Sequence, residues 1–343
     1  MNRPSFLSDY MEGAHPALLE ALTAANLEKA PGYGEDPYCC EARDLIRRAC
    51  AAPDAAVHFL VGGTQTNAAV IHALLRSWQG VVSARTGHIA VHGAGAVELN
   101  GHKVLTLPHF DGKIAPQDLR EYLCAFRADG NREHMVEPGM VYISHPTEYG
   151  ALYSRAELAA LHVVCREFSL PLYLDGARLA YALASPENDV TLADLAALCD
   201  AFYIGGTKCG ALLGEALVIP DPALLPRFFT VMKQHGAVLA KGRVLGLQFA
   251  ALFRDGLYER IGAPAIAAAD RIRPALKEKG YRLIHVNPTN QIFVVLESGP
   301  MAALAEKVDF SFFEAYDRDR AVIRFCTSWA TSPAEIDALI AAL

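Results

Sequence analysis

The sequence predicts an α/β fold in which a largely parallel sheet is covered by helices on both faces. Three observations lead there. Short apolar runs of strand type alternate with longer helical patterns. Polar clusters recur at the ends of those runs, at 62–67, His88, 147–148, 175–178 and 205–208, where open parallel sheets bind their ligands. The length, 343 residues, allows one large domain and a smaller companion. The expected division is an N-terminal arm over 1–14, a large domain over 15–243 and a small C-terminal α/β domain over 244–343.

The elements follow in order. Residues 1–14 read as irregular, and a helix is expected over 16–27. A turn-rich loop, 31–37, leads to a helix capped by Asp36, with Pro37 in its first turn. Residues 56–61 form a strand that passes through Gly62-Gly63-Thr64-Gln65-Thr66-Asn67 into a helix over 68–78. Strands are expected over 81–84, 103–107, 140–144 and 171–174, and helices over 116–126 and, capped by Ser154, up to 168. A strand over 201–204 stops at Gly205-Gly206, where two glycines let the backbone turn, just before Lys208. A long helical stretch runs from 244 past Glu259 and then, after Gly262-Ala263-Pro264, to 279, followed by strands over 282–286, 291–296 and 321–325 and a helix from 332 to the end.

Several function classes are disfavoured. The net charge is -7 without a basic run, which argues against nucleic-acid binding. No run of about 18 apolar residues suggests a membrane span, and the N-terminus lacks the apolar stretch of a signal peptide. The eight cysteines are scattered without a CxxC pair, as expected of reduced thiols in a cytoplasm. The twelve histidines include no HExxH and no Cys/His cluster at zinc spacing, so no metal site is expected. Gly93-Ala94-Gly95-Ala96-Val97-Glu98 fails as a dinucleotide fingerprint, because the third glycine and the preceding strand are missing. That disfavours a nicotinamide-dependent oxidoreductase.

The remaining clusters carry chemistry, each beside a plainer reading. Lys208 is either a solvated loop lysine or an enclosed amine pushed toward its neutral, nucleophilic form. The Gly63-Thr64 turn before a helix is either a tight turn with a capping threonine or a phosphate site at a helix N-terminus. Arg324 lies in an apolar strand and needs a partner, either a protein carboxylate or that of a ligand. Pyridoxal phosphate needs this whole set: a lysine for its aldehyde, a carboxylate such as Asp175 for its ring nitrogen, a phosphate turn and a flat partner such as His88.

On Ser8-Asp9, Gly32-Tyr33-Gly34-Glu35-Asp36, Gly63-Thr64-Gln65-Thr66-Asn67, His88, Asp175-Gly176-Ala177-Arg178, Gly205-Gly206-Thr207-Lys208, Lys233-Gln234 and Arg324-Phe325, the sequence resembles the threonine aldolase and β-eliminating lyase family. The likeness runs from near residue 7 to the end. It implies the pyridoxal-phosphate-dependent transferase-like fold, fold type I, with a mostly parallel seven-stranded sheet sandwiched by helices and a small C-terminal α/β domain. It implies catalytic roles for Lys208, which carries the cofactor, Asp175 at the ring nitrogen, and His88, which stacks on the ring and handles the substrate hydroxyl proton. Gly63, Thr64 and Gln65 are implied at the phosphate, and Thr207 and Arg178 beside the cofactor. Ser8, Arg178 and Arg324 are implied at the substrate carboxylate, and Tyr33 and Lys233 as contributions from a neighbouring subunit. Two departures bear on substrate choice: His92 stands where an aromatic residue is common in the family, and Lys233 where an arginine is common.

The implied activity is retro-aldol cleavage of a β-hydroxy-α-amino acid, of the threonine or allo-threonine type, to glycine and an aldehyde. The alternative in the same fold is a β-eliminating lyase that releases a keto acid and ammonia. A regulatory or interaction protein that kept the fold without turnover is disfavoured by the presence of Lys208, Asp175 and His88 together. The implied partners are a small amino-acid substrate and further copies of the chain, as a dimer of dimers with the site at the dimer interface.

Overall fold

Residues 3–343 are described in a computed structural model; residues 1 and 2 of the expected arm lie outside the described residues. The described strands are, in chain order, β1 Ser5–Phe6, β2 Ala56–Leu60, β3 Gln79–Ala84, β4 Val104–Leu107, β5 Glu137–Ser144, β6 Leu172–Asp175, β7 Ala201–Gly205, β8 Glu215–Ile219, β9 Arg282–Ile284, β10 Gln291–Glu297, β11 Asp309–Ala315 and β12 Arg320–Cys326. They form a seven-stranded sheet of order β2-β8-β7-β6-β5-β3-β4 and a five-stranded sheet of order β1-β11-β12-β10-β9. In the large sheet β8 runs antiparallel to both neighbours, and the remaining pairs are parallel. The mostly parallel seven-stranded sheet expected from the sequence is therefore present.

Strands β6, β7 and β8 are buried along their whole length, because helices lie on both faces, and this is why they read as unbroken apolar runs. Alternation still sorts their side chains. Phe202 and Ile204 join one core with Val82, Leu174 and Phe249, whereas Ala201 and Tyr203 join the opposite one with Tyr142, Tyr173 and Val70. A third core packs Ile292, Val294 and Phe325 of the small sheet against Ile272, Leu276 and Leu339.

Capping fixes where the covering helices begin. The Asp36 carboxylate accepts the Cys39 N–H at 2.8 Å and starts the helix Pro37–Ala49. Ser154 and Glu157 form a capping box at the head of Arg155–Phe168. At the carboxyl edge of the large sheet the ends of β2 and β7 meet the start of β8, with Glu215 paired opposite both Leu60 and Gly205.

Some expectations need correction. The first helix, Pro16–Ala24, ends three residues short of 27. The helix expected over 68–78 spans Gly63–Leu74, so the Gly-Thr-Gln-Thr-Asn segment is its first turn and not a loop before it. The arm is not wholly irregular, since β1 pairs in parallel with β11. Strands β8 and β11 were not expected. The stretch 244–279 breaks at Gly262, as expected, and also where Gly256 takes φ +63°, which makes three helices, Arg243–Arg254, Leu257–Ile261 and Ala263–Glu278. The first two of these helices pack into the core of the large sheet through Leu245, Phe249 and Ile261, whereas Ala268 and Ile272 of the third belong to the core of the small one.

Candidate active site

The β7–β8 connection carries Lys208. Its glycines are needed for close approach: a Cβ on Gly205 would lie 2.4 Å from the Ala177 carbonyl oxygen, and one on Gly206 would lie 2.6 Å from that of Gly214. The loop is tied down from outside, since the Tyr181 hydroxyl donates to the Lys208 carbonyl at 2.6 Å and the Tyr258 hydroxyl to that of Gly205 at 2.9 Å. Thr207 closes it by accepting the Gly214 N–H on Oγ1 at 3.1 Å. Lys208 lines a cavity of about 550 Å³ at the carboxyl edge of the sheet. Burial there, and then the Arg178 charge, lower its pKa against the opposing pull of Asp9, Asp175 and Glu215. This is the enclosed reading of the lysine, not the solvated one.

Asp175 ends β6 in the same cavity. Its Oδ2 accepts from the Asn67 amide at 2.8 Å and the Tyr142 hydroxyl at 2.7 Å, and its Oδ1 from the Ala177 N–H at 3.0 Å and the Tyr203 hydroxyl. Burial alone would raise its pKa, but the nearby His88 and the bonds from Tyr142, Tyr203 and Asn67 outweigh it and keep the carboxyl below its ordinary value. Asn67 is itself oriented by the Tyr173 hydroxyl at 2.9 Å. Asp175 is thus a fixed buried anion. The tyrosines that hold it looked like ordinary strand residues in the sequence.

The helix Gly63–Leu74 points its N-terminus at this cavity. Gly62 caps it without a side chain, so the first-turn N–H groups at Gly63 and Thr64 stay open toward the space they line. Gln65 lies otherwise. Its Oε1 accepts the Val61 N–H at 3.2 Å and its amide donates to the His235 carbonyl at 3.1 Å, so its side chain is engaged away from the cavity.

His88 begins the short helix His88–Val91 and lines the cavity with His92, their ring centroids 6.1 Å apart. Burial lowers the pKa of both. The His88 backbone N–H donates at 2.8 Å to Oε1 of Glu148, which also takes the Ser144 hydroxyl at 2.6 Å. Glu215 is a site residue that sequence reasoning missed. It lines the cavity, accepts the Gly206 N–H on Oε2 at 2.9 Å, and burial pushes its carboxyl up to about 8. An acidic residue heading an apolar run directly after the lysine loop was the available signal.

The two arginines differ. Arg178 grips Asp9 with Nε at 2.6 Å and Nη2 at 3.0 Å, and Asp9 is fully buried. Burial works against the Asp9 carboxylate, yet the Arg178 charge brings its pKa down to about 2. The Nε and Nη2 edge of Arg178, a residue expected at the substrate carboxylate, is therefore engaged by the protein, and Arg178 also lines the cavity. Arg324 also lines the cavity, but its partners are neutral: Gln291 Oε1 at 2.9 Å, Ser311 Oγ at 3.3 Å and the Leu7 carbonyl at 3.4 Å. Among the described residues it has no ion-pair partner. Ser8 does not line the cavity, although Tyr10 does. Tyr33 and Lys233 meet elsewhere, with the Lys233 amine 4.5 Å over the Tyr33 ring, and Tyr33 lines a separate cavity of about 450 Å³.

An amine of lowered pKa, a fixed anion, an open helix N-terminus and a free guanidinium thus face one space. The sequence model described as beta-eliminating lyase matches residues 5–298. The chain belongs to the beta-eliminating lyase family. That family is dependent on pyridoxal phosphate. A low specificity L-threonine aldolase of a Pseudomonas species is 31% identical, over 98% of this chain and 96% of its own. Another from Pseudomonas aeruginosa is 29% identical over 95% and 93%. The solved threonine aldolase of Leishmania major is 43% identical, with a TM-score of 0.94 over 98% of this chain and 97% of that one. Aspartate aminotransferase from Thermus thermophilus, at 16% identity and a TM-score of 0.73 over 99% and 91%, shares the fold. Among the described residues, no helix is long and apolar enough to cross a membrane.

Proposed function

We propose that the protein holds pyridoxal phosphate in the Lys208 cavity and cleaves threonine-type β-hydroxy-α-amino acids to glycine and an aldehyde. The observation that carries this reading is the meeting of Lys208, Asp175 and an ion-pair-free Arg324 around one cavity. The similarity to L-threonine aldolases along nearly the full chain supports the choice of substrate.

The residues present fit the cofactor. The N–H groups of Gly63 and Thr64 would hold its phosphate, and a Cβ on Gly63 would come within 2.8 Å of the Tyr203 hydroxyl, so glycine keeps this approach open. Lys208 would hold the aldehyde carbon and Asp175 the ring nitrogen. The four acceptor positions of Asp175 are filled, so a ring N–H reaches it by replacing a neutral donor; Tyr203 is the side-chain donor that lines the cavity. Bound, the cofactor supplies a cationic ring, conjugated to the substrate nitrogen, that takes up the electron pair of the breaking Cα–Cβ bond.

The chain's own residues do the rest. Arg324 binds the substrate carboxylate through a guanidinium that has only neutral partners, and so orients the Cα–Cβ bond. Arg178 and Asp9 hold the wall beside it. Asp175 stays anionic and keeps the ring nitrogen protonated. Lys208, with its lowered pKa, gives up its proton and returns as a neutral amine to release the product. His88, kept neutral by burial, would pack over the ring. Tyr33 and Lys233, outside their own chain's cavity, serve the site of a second copy in a dimer of dimers. We place the protein in the cytoplasm on its free cysteines.

The test is the absorbance spectrum of protein purified with pyridoxal phosphate, before and after glycine, followed by a product assay with threonine. A visible band that shifts with glycine, and acetaldehyde release, are expected. A keto acid in place of the aldehyde would make the reaction a β-elimination and overturn the aldol assignment.

A further inference from the structure

Besides Asp175, two carboxyl groups line the cavity. Glu215 stands behind the lysine loop with Oε2 on the Gly206 N–H. Glu148 lies toward His88, and its Oε1 takes both the His88 N–H and the Ser144 hydroxyl. No other described residue donates to its Oε2, which leaves one oxygen of a cavity-lining carboxyl for a substrate group. The helix begun by His88 has no side-chain cap of its own, so Glu148 also fixes where His88 stands.

We propose that Oε2 of Glu148 accepts the β-hydroxyl proton of the substrate, while His88, positioned by Oε1, packs against the cofactor ring. This rests on the aldol reading. A ring packed face-on carries its nitrogen lone pairs in its own plane, parallel to its partner, and so aims them poorly at a group above that partner. A carboxyl on a separate loop has no such conflict.

The proton balance needs no further reactant. The O–H bond breaks toward Oε2, the C–O bond becomes C=O as Cα–Cβ breaks, and the released electron pair remains with the Cα fragment. Cα then takes a proton, and the one held on Glu148 leaves to Cα or solvent. Burial pushes the Glu148 carboxyl up to about 7, with Asp175 acting in the same direction and the bonds from Ser144, its own backbone N–H and the His88 backbone N–H acting against it. It therefore takes and returns a proton near neutrality. The titratable groups around it are Asp175 and Tyr142 on the sheet, Tyr149 and Tyr153 on its own loop, His88 opposite and Lys208 across the cavity. Ser144 Oγ also lies 3.2 Å from the Tyr142 hydroxyl, which donates to Asp175 at 2.7 Å, so a polar chain joins Glu148 to the ring-side anion.

Glu148→Gln keeps an oxygen for both bonds and removes the exchangeable proton. In the holoenzyme, kcat for threonine cleavage should fall by about 10²-fold or more, while glycine still shifts the absorbance band at an almost unchanged Kd. An infrared difference spectrum of wild type against E148Q should contain a carboxylic C=O band that disappears with a midpoint near pH 7. Ser144→Ala removes a bond that lowers the Glu148 pKa, so the acid limb of the wild-type kcat profile should move to higher pH. Near-wild-type kcat in E148Q overturns the proposal, as does an acid limb that S144A leaves in place. If E148Q fails to bind glycine, the S144A profile decides alone. Wild-type protein that neither responds to glycine nor releases aldehyde would overturn the aldol reading itself, a result separate from any variant.

Discussion

Arg178 and Arg324 face one cavity from two different sheets, and they are held in opposite ways. Arg178 follows β6 of the large sheet and spends its fork on Asp9, a carboxylate from the N-terminal arm that is wholly buried. Arg324 lies on β12 of the small sheet and gives its hydrogen bonds to an amide, a hydroxyl and a carbonyl. A partly buried cation held by its own buried anion is part of the architecture. A cation left with neutral partners beside a cavity is available to an anionic ligand. The arm thus contributes an anion that locks one arginine, and the other is the one we propose for the substrate carboxylate.

Breaking the locked pair should have the largest effect. Asp9→Ala leaves the partly buried Arg178 charge without its partner and should cost about 3 kcal/mol, read as a drop in denaturation midpoint, with activity lost as a consequence. The pH dependence follows from the same pair. The Asp9 carboxyl is lowered to about 2 in the folded state against 3.8 ordinarily, so its stabilisation is fully present above pH 3.8 and fades as pH falls toward 2. Wild type should therefore lose stability across that window relative to Asp9→Ala, and parallel curves would contradict the pair's role.

Arg324→Gln should leave the melting temperature nearly unchanged and lower kcat/KM for threonine by roughly 10²-fold or more, the scale of a lost charge-assisted contact to a desolvated carboxylate. A variant with normal kcat/KM would return the carboxylate to Arg178. Ser8→Ala should change least. The Ser8 side chain does not line the cavity, so both stability and kcat/KM should stay within about 0.5 kcal/mol of wild type. A large loss in KM would put Ser8 back at the substrate.

The legible part of this site was local. Lys208 and Asp175 follow apolar strands directly, and glycine turns mark both positions, so sheet periodicity alone brings them to one edge. The division of labour between the arginines was not legible, because Asp9 and Arg178 meet only after the arm has crossed to the large sheet. The start of the helix at Gly63 was misplaced because glycine and threonine are poor helix formers; here that weakness accompanies an N-terminus left uncapped by side chains. Strand β8 opens with a charged residue, and β11 is only partly buried and broken by a register shift, so neither gave a clean strand pattern. The shared oxygen of Glu148 depends on three segments meeting, β5, its following loop and the His88 helix.

The most direct measurement is the visible spectrum and threonine turnover of Lys208→Ala beside wild type, both supplied with pyridoxal phosphate. The expected result is that wild type has a cofactor band that shifts with glycine and releases acetaldehyde, and that Lys208→Ala loses the lysine-linked band and its turnover. A variant that cleaves threonine at the wild-type rate, or a wild type that never acquires the band, would contradict the assignment of this cavity.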